Sequence, residues 1–247
     1  MNTQIPLVLA ALVATTTPAL AQEFTGAKFS ANYAFVAEDG ADLTGTSLNA
    51  SGGVTLSRQF ALGGSLATYN IATDDSDVDL FNATLRALYR VGPDATVGGF
   101  FAYDSIEDLD QETYGIETGY DTRSSHFEAY YGVIDVEDDS EQSIYGAEAS
   151  FDVAPNFAVN AAFDTFRTSI GDADSTQTVT TLGGTFKLGN GATVYGNFGA
   201  LNVESTNGII EISGDANVAG IGVSFDVGSG RGTVMDNRSF IKATLPF

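Results

Sequence analysis

Residues 27–35 read AKFSANYAF, and this stretch decides the fold. Every second residue in it is apolar, whereas Lys28, Ser30 and Asn32 stand between the apolar residues. Successive side chains of a β-strand point to opposite faces, so the pattern predicts a strand with one apolar and one polar face. An amphipathic helix would instead repeat its apolar residues every three to four positions.

The same alternation recurs along the chain in segments of about ten residues, which is the length of a membrane-crossing β-strand. The clearest further examples are residues 47–56, 81–90, 145–153, 157–164 and 219–227. No linker and no sustained helical periodicity interrupts them, so residues 22–247 are predicted to be a single all-β domain. The alternation alone also suits a soluble β-sandwich, because both architectures bury one face of each strand.

The breaks between the segments favour a barrel. One series is short: residues 57–59, 92–94, 121–123, 154–156, 189–191 and 228–230. The other series is acidic and is expected to be somewhat longer: residues 38–42, 74–77, 107–110, 137–141 and 171–174, with the Asn207-Gly208 turn in the same series. The two series alternate strictly, as turns and loops do at the two ends of an up-and-down barrel. A Greek-key sandwich gives no reason for such alternation.

The first 21 residues have the features of a secretory signal peptide. An apolar run from Ile5 to Val13 is followed by Ala19-Leu20-Ala21, a small-x-small cleavage pattern. The alternative is a buried N-terminal helix or strand. Further along, no apolar run reaches the length of a membrane helix, and the sequence has no cysteine, so backbone pairing and packing have to hold the fold together.

The chain ends with a further alternating stretch, Ser239 to Phe247, which is predicted to be the last strand. A final amphipathic strand ending in Phe resembles the C-terminal signature of Gram-negative outer-membrane proteins. Together with the signal peptide, the turn series and the acidic breaks, the mature chain resembles a small porin of the alphaproteobacterial type. This resemblance implies Phe247 as a recognition signal for the barrel-assembly machinery, and a homotrimer. Pro246 departs from the pattern, since proline has no N–H for the ladder.

The predicted fold is therefore an all-β, transmembrane, antiparallel up-and-down β-barrel of about 12–14 strands. Twelve segments are clear up to residue 227, and the stretch at the C-terminus would make an odd number. An even number is needed when both ends of the chain lie on one side of the membrane. Either Arg231 to Met235 form an additional strand, which gives fourteen, or one segment is misread, which gives twelve. We favour fourteen.

Charged residues at polar-face positions of the strands are candidates for lining a pore: Lys28, Arg86, Glu117, Glu128, Glu148, Lys187 and Lys242. Opposed charges across a water-filled lumen select solutes by charge and size. The alternative is that these charges pair and fill a narrow lumen, as happens in barrels with few strands. No break looks long enough to fold inward, so the sequence predicts that any constriction is made by side chains of the wall.

The net charge limits the function further. With 32 acidic and 10 basic residues the formal net charge is −22, which argues against nucleic-acid binding. An acidic mouth raises the local concentration of cations within about 8 Å, the Debye length at physiological salt. The acidic segments could instead only keep the loops solvated, or bridge to lipopolysaccharide through divalent cations.

An enzymatic function is not expected. His126 is the only histidine and could pair with Glu128 on the same face of a strand, but no serine nucleophile is marked by the pattern. No cofactor and no metal site are expected either.

The sequence thus predicts an outer-membrane porin for small hydrophilic solutes, in contact with lipid and lipopolysaccharide and weakly preferring cations. The alternative is a non-conducting barrel that serves as an adhesin or stabilises the envelope. A soluble, secreted β-protein is the third interpretation.

Overall fold

Twelve antiparallel strands form a closed barrel in the computed structural model, which describes residues 23–38, 41–72, 77–106, 109–136, 140–206, 211–228, 237–243 and 245. Each strand pairs with its neighbours in sequence, and β1 pairs with β12. The strands are β1 (Glu23–Glu38), β2 (Ala41–Thr55), β3 (Phe60–Ala72), β4 (Asp77–Arg90), β5 (Ala95–Ile106), β6 (Leu109–Asp121), β7 (Ser125–Asp135), β8 (Ser140–Ala154), β9 (Phe157–Ile170), β10 (Ala173–Gly189), β11 (Ala192–Thr206) and β12 (Glu211–Val227). In the ranges given, no helix is long and apolar enough to cross a membrane.

The alternation of β1 separates the outside of the barrel from its lumen. Phe29 and Tyr33 lie on the outside with about half of their surface exposed, 53% and 48%, whereas Asn32 and Ala34 are buried inside. Large apolar side chains cover the outer wall in the same way on the other strands, for example Leu48, Leu85, Ile116, Leu182, Phe198 and Ile221. An apolar belt of this kind faces the lipid in transmembrane barrels. The sequence prediction of an antiparallel up-and-down barrel is confirmed.

The barrel has two ends of different composition. We call the end with residues 56–59, 91–94, 122–124, 155–156 and 190–191 the turn end, and the opposite end, with the acidic segments, the loop end. The expectation that the acidic connections are longer is wrong. Two residues separate neighbouring strands at 39–40 and 107–108 of the loop end, and two residues also do so at 190–191 of the turn end. The strands continue into the acidic segments, so the two ends differ in charge and not in length.

The turn between β10 and β11 shows how a tight connection is made. Gly189, Asn190 and Gly191 all have positive φ angles, of 93°, 52° and 80°. A Cβ atom at Gly191 would come within 2.3 Å of the backbone oxygen of Asp226 on β12. Glycine is therefore required at this position both by the backbone conformation and by the neighbouring strand.

Of the two predicted strand counts, twelve is confirmed, and fourteen, which we favoured, is wrong. β12 ends at Val227, and it pairs with β1 over the whole register from Ala27↔Val227 to Ala37↔Asn217. The ring is closed by this pairing, so it is complete with twelve strands. The additional strand considered at residues 231–235 lies outside the described residues.

The predicted last strand is also wrong over its described part. Residues Phe240–Ala243 form one turn of 3-10 helix, and the amide of Leu245 donates a hydrogen bond to the carbonyl of Ile241. Residues 241 and 245 would lie on the same face of a strand, but residues four apart also share a face of a helical turn. The apolar pattern is therefore consistent with both structures. This part of the chain lies inside the barrel. Phe247 and residues 1–22 are outside the described residues, so the assembly signal and the signal peptide stay predictions.

Candidate functional site

A polar cavity of about 670 Å³ occupies the turn-end half of the lumen; we call it the chamber. Amide, hydroxyl and phenol groups form much of its wall, among them Asn32, Asn49, Asn160, Asn197, Ser224, Thr193 and Tyr195. The Tyr195 hydroxyl on β11 donates a hydrogen bond to Asn32 on β1, over Gly222 of the intervening strand β12. Four basic residues (Lys28, Lys187, Arg238, Lys242) and four acidic residues (Glu128, Glu148, Asp164, Asp226) line the chamber together with His126. The lining is therefore balanced in charge, although the whole chain carries −22.

The loop-end half of the lumen is occupied by the end of the chain. We call residues 237–243 together with Leu245 the inner segment. Asn237 donates a hydrogen bond of 2.6 Å to Asn49 on β2, at the chamber, whereas Leu245 packs among Ala34 and Val218 on β1 and β12 near the loop end. Leu245 also borders the chamber, so the inner segment crosses the lumen above the chamber and contacts strands on several sides of it.

Arg238 binds the inner segment to the wall through two carboxylates. Its Nε donates to Oε2 of Glu117 and its Nη2 to Oε2 of Glu128, both at 2.9 Å. The guanidinium carbon lies 4.5 Å from the centre of the Tyr130 ring, a cation–π distance. Arg86 on the wall approaches the same Glu117 at 3.4 Å. Two cations and two anions thus form one connected network inside the barrel.

The guanidinium of Arg238 keeps its charge in this setting. Burial lowers the pKa of Arg238, but the charges of Glu128 and Glu117 outweigh it and hold the pKa above its ordinary value. Arg238 therefore takes part in these contacts as a cation.

Hydrogen bonds from uncharged donors continue this attachment on β4 and β5. The Ser239 hydroxyl donates to Asp104 at 2.6 Å, and Asn82 donates both to Asp104 at 2.9 Å and to the carbonyl of Arg238 at 3.0 Å. The amide of Arg238 donates to the Thr84 hydroxyl at 3.2 Å. Asp104 and Asn82 are completely buried, so these bonds satisfy groups that would otherwise be costly inside the barrel.

Apolar side chains surround the far end of the inner segment; we call them the collar. Its residues lie on the inner faces of the surrounding strands: Ala34, Val36, Ala67, Tyr69, Leu80, Phe100, Ala102, Tyr130, Ile134, Ile144, Val179, Leu201, Ala216 and Val218. Phe240, Ile241 and Leu245 of the inner segment pack into the collar. The loop-end half is therefore closed by an apolar core like that of a soluble protein.

The residues predicted to line a pore occupy two levels. Lys28, Glu128, Glu148, Lys187 and Lys242 line the chamber. Arg86 and Glu117 are buried in the ion network next to Arg238. Lys242 belongs to the inner segment and not to a strand of the wall. The prediction that any constriction comes from the wall alone is wrong, because the inner segment fills the lumen at the loop-end half. That the seven residues line a conducting path stays a prediction.

Sequence reasoning missed Arg238, Ser239 and the collar. The sequence does contain a signal of the collar, because strands that form it have apolar residues on both faces. On β5, for example, Val97 points outward while Phe100 is buried inside. An apolar residue on the inner face indicates an apolar occupant of the lumen.

His126 is held by carboxylates on both ring nitrogens. Its Nδ1 lies 2.6 Å from Asp121 and its Nε2 lies 2.9 Å from Glu128. Neither nitrogen is left to take a proton from a serine, as a hydrolytic triad requires. In the described part of the chain, no group of His, Cys, Asp or Glu is arranged to hold a metal ion.

A closed antiparallel ring with an apolar outer belt decides the class of fold. The fold is that of an outer-membrane β-barrel. The NanC porin has this outer-membrane fold at 13% identity and a TM-score of 0.61, over 80% of this chain and 98% of that one. An outer membrane channel from Pseudomonas putida F1 matches 86% of this chain and 99% of its own at 10% identity and a TM-score of 0.60. The KdgM porin matches 79% and 98% at 9% identity and a TM-score of 0.54.

No protein-family model and no curated protein sequence matches the chain. The outer-membrane fold is therefore established by architecture, and the function has to be argued from the lumen.

Proposed function

We propose that this outer-membrane barrel is a channel for the passive diffusion of small hydrophilic solutes. The chamber carries the proposal: it is a polar space of about 670 Å³ inside the barrel, walled by amides, hydroxyls and balanced charges. A barrel that only anchors or stabilises needs no such space. Proteins of the same fold that are named porins or channels also support it. The inner segment occupies the rest of the path, so conduction requires it to move.

A modest preference for cations is part of the proposal. Along the inner segment the wall carries Asp104, Glu117 and Glu128, against Arg86 as the wall cation in the ion network. Without Arg238 this stretch has a negative balance, which lowers the energy of a cation in the lumen and raises that of an anion. The acidic segments at the loop end add to the same effect at the mouth.

The remaining expectations are proposals as well. Residues 1–21 would be removed on export, and Phe247 would be read by the assembly machinery. The outer belt would contact lipid and lipopolysaccharide, and the barrel would assemble as a homotrimer of the alphaproteobacterial porin type. The turn series and the acidic segments support that type.

Planar-bilayer recording tests the channel. The protein purified in detergent should give discrete conductance steps and a cation-directed reversal potential in a KCl gradient. Glu128→Gln should move the reversal potential toward zero, because it removes a negative charge from the chamber wall. Glu204→Gln is the matched control. Glu204 is exposed, and its neighbour Val203 packs against the collar, so Glu204 lies on the outer face of β11. An inserted barrel that never conducts would contradict the channel and leave the acidic segments as the place of function.

A further inference from the structure

We propose that the inner segment is a gate, which closes the lumen by seating Phe240, Ile241 and Leu245 in the collar and opens it by withdrawing toward the turn end. This inference rests on the proposed channel function and adds the device that regulates it.

The inner segment can leave without opening the barrel wall. The ring is closed by β1 and β12, and the segment takes no part in a strand ladder. Its contacts with the wall include the hydrogen bonds and ion pairs of residues 237–239 and the apolar packing of Phe240, Ile241 and Leu245. Withdrawal therefore breaks side-chain contacts and a few bonds of its own backbone, while all twelve strands stay paired.

The chamber gives the inner segment room to move. Asn237, Arg238, Lys242 and Leu245 form part of the chamber wall, so the described part of the segment borders a polar cavity. The amide and hydroxyl groups around the chamber can accept hydrogen bonds from a segment that has left the collar.

The wall left behind can be hydrated. Asp104, Glu117 and Glu128 are carboxylates that water can solvate once the chamber extends to them. A permanent filling of the lumen gains little from such groups, because apolar packing of the same shape is as stable as a buried ion pair or more so. In the closed state these ion pairs hold the segment, and in the open state their carboxylates form a hydrated, acidic wall. Such groups suit an element with two positions.

The collar supplies the closed state. Ile241 is 1% exposed and Leu245 is completely buried, so water is excluded around them. An apolar constriction of this kind stops ions because it does not stay wet. The polar contacts of Arg238 and Ser239 thus fix the position of the segment, and the apolar contacts seal the lumen.

A reversible covalent lock distinguishes a gate from a permanent filling. The chain has no cysteine, so Asp104→Cys with Ser239→Cys introduces one pair at a place where the native side-chain oxygens are 2.6 Å apart. The oxidised protein holds the segment on β5, and a reducing agent releases it. Single-channel recording in a planar bilayer is made on the same sample before and after reduction.

The matched control is Thr165→Cys with Thr178→Cys. Their hydroxyl oxygens are 3.0 Å apart, and the two residues are direct partners on β9 and β10. They alternate with Asp164 and Val179, which face the lumen, so this bond joins two strands of the wall without touching the inner segment. It should leave the conductance the same in both redox states.

The gate predicts that reducing the disulfide between positions 104 and 239 raises the open probability by about tenfold or more, with no such change in the control. Equal conductance of the oxidised and reduced forms would overturn the gate while the channel function stands. If the wild type, both redox forms and Arg238→Gln are all silent after insertion, the channel function fails and the gate fails with it.

Labelling of a single cysteine gives a second, independent measurement. Ile241→Cys places the one thiol of the protein in the collar, where a charged thiol reagent reaches it only when the segment withdraws. Arg238→Gln removes the charge that binds Glu117 and Glu128, so it should raise the labelling rate about tenfold. Heat-modifiable gel mobility shows that the barrel is folded in both backgrounds. Equal rates in the two would overturn the gate.

Discussion

The two halves of the lumen are formed by the same strands, but one half is polar and the other is apolar. In the turn-end half, the inner faces of the strands carry amides, hydroxyls and charges around an empty chamber. In the loop-end half, the inner faces of many of the same strands carry the apolar collar around Ile241 and Leu245. On β1, for instance, Lys28 and Asn32 line the chamber, and Ala34 belongs to the collar a few residues later.

The difference shows that the occupant of the lumen, and not the strand pattern, decides the interior. An inner face next to water is polar, because water can hydrogen-bond to polar groups there, so they need no protein partner. An inner face next to the inner segment is apolar where that segment is apolar and charged where it carries Arg238. The following variants change the two halves separately.

A negative charge introduced into the collar should give the largest effect. Leu245→Asp puts a carboxylate into the collar, where burial without a partner costs several kcal/mol, so the segment should leave the collar. Leu245→Met keeps an apolar side chain of similar volume at the same position and should have little effect. Trypsin cleavage after Lys242, followed by mass spectrometry, measures the release. Similar cleavage of both variants would mean that the collar is not dry.

Removing the cation of the inner segment should have the next largest effect. Arg238→Met removes the cation that Glu117 and Glu128 share, and leaves Glu117 next to Arg86 and Glu128 next to His126. Breaking a buried ion pair in this way typically costs about 3–5 kcal/mol. Arg167→Met is the matched control, because Arg167 and Asp174 are half-exposed and 3.7 Å apart. Loss of such a pair changes stability by about 0–1 kcal/mol. Unfolding in guanidinium chloride, followed by circular dichroism, should separate the two; equal midpoints would contradict the buried network.

Two neighbouring tyrosines test the two faces of one strand. Tyr130→Phe removes a hydroxyl that donates to Asp164 at 2.6 Å inside the lumen, but it keeps the ring beneath Arg238. A destabilisation of about 0.5–1.5 kcal/mol is expected, the net contribution of a typical hydrogen bond, because Asp164 is partly buried and lines the chamber. Tyr131→Phe, on the outer face, should change the unfolding midpoint by less than a quarter of that. The reverse order would mean that the parity of β7 is wrong.

The smallest effect is expected at the rim of the chamber. Lys187 lies 3.7 Å from Asp152 at the turn end, and both side chains are about half exposed. Lys187→Gln should change stability by about 0–1 kcal/mol, and raising the salt concentration should remove most of this difference. Thermal melts at two salt concentrations provide the measurement. A large effect that persists at high salt would place Lys187 inside a network and not at a rim.

The wall of the barrel could be predicted from the sequence because it depends on local patterns. Alternation in a strand assigns Phe29 to the outside and Lys28 to the inside without any knowledge of other strands. The same rule assigned Glu117 and Glu128 to the lumen, where they are found. Positions of breaks follow from Gly, Pro and Asn, as at Gly189-Asn190-Gly191.

The inner segment could not be predicted in this way. Arg238 meets Thr84 and Glu117, which are more than 100 residues away in the chain, and nothing in the local sequence records that distance. Ile241 and Leu245 satisfy the parity of a strand and of a helical turn equally well, so the pattern had two solutions. The contacts with the collar decide between them.

The position of the inner segment also constrains the order of folding. It follows β12 in the chain, and β12 closes the ring against β1 through pairs that join the two ends of the barrel sequence. Such distant pairings form late, because the intervening chain has to be ordered first. The inner segment is therefore either enclosed as the ring closes or enters a finished barrel through the turn end. In both routes, the apolar inner faces that form the collar are exposed to water until the inner segment covers them.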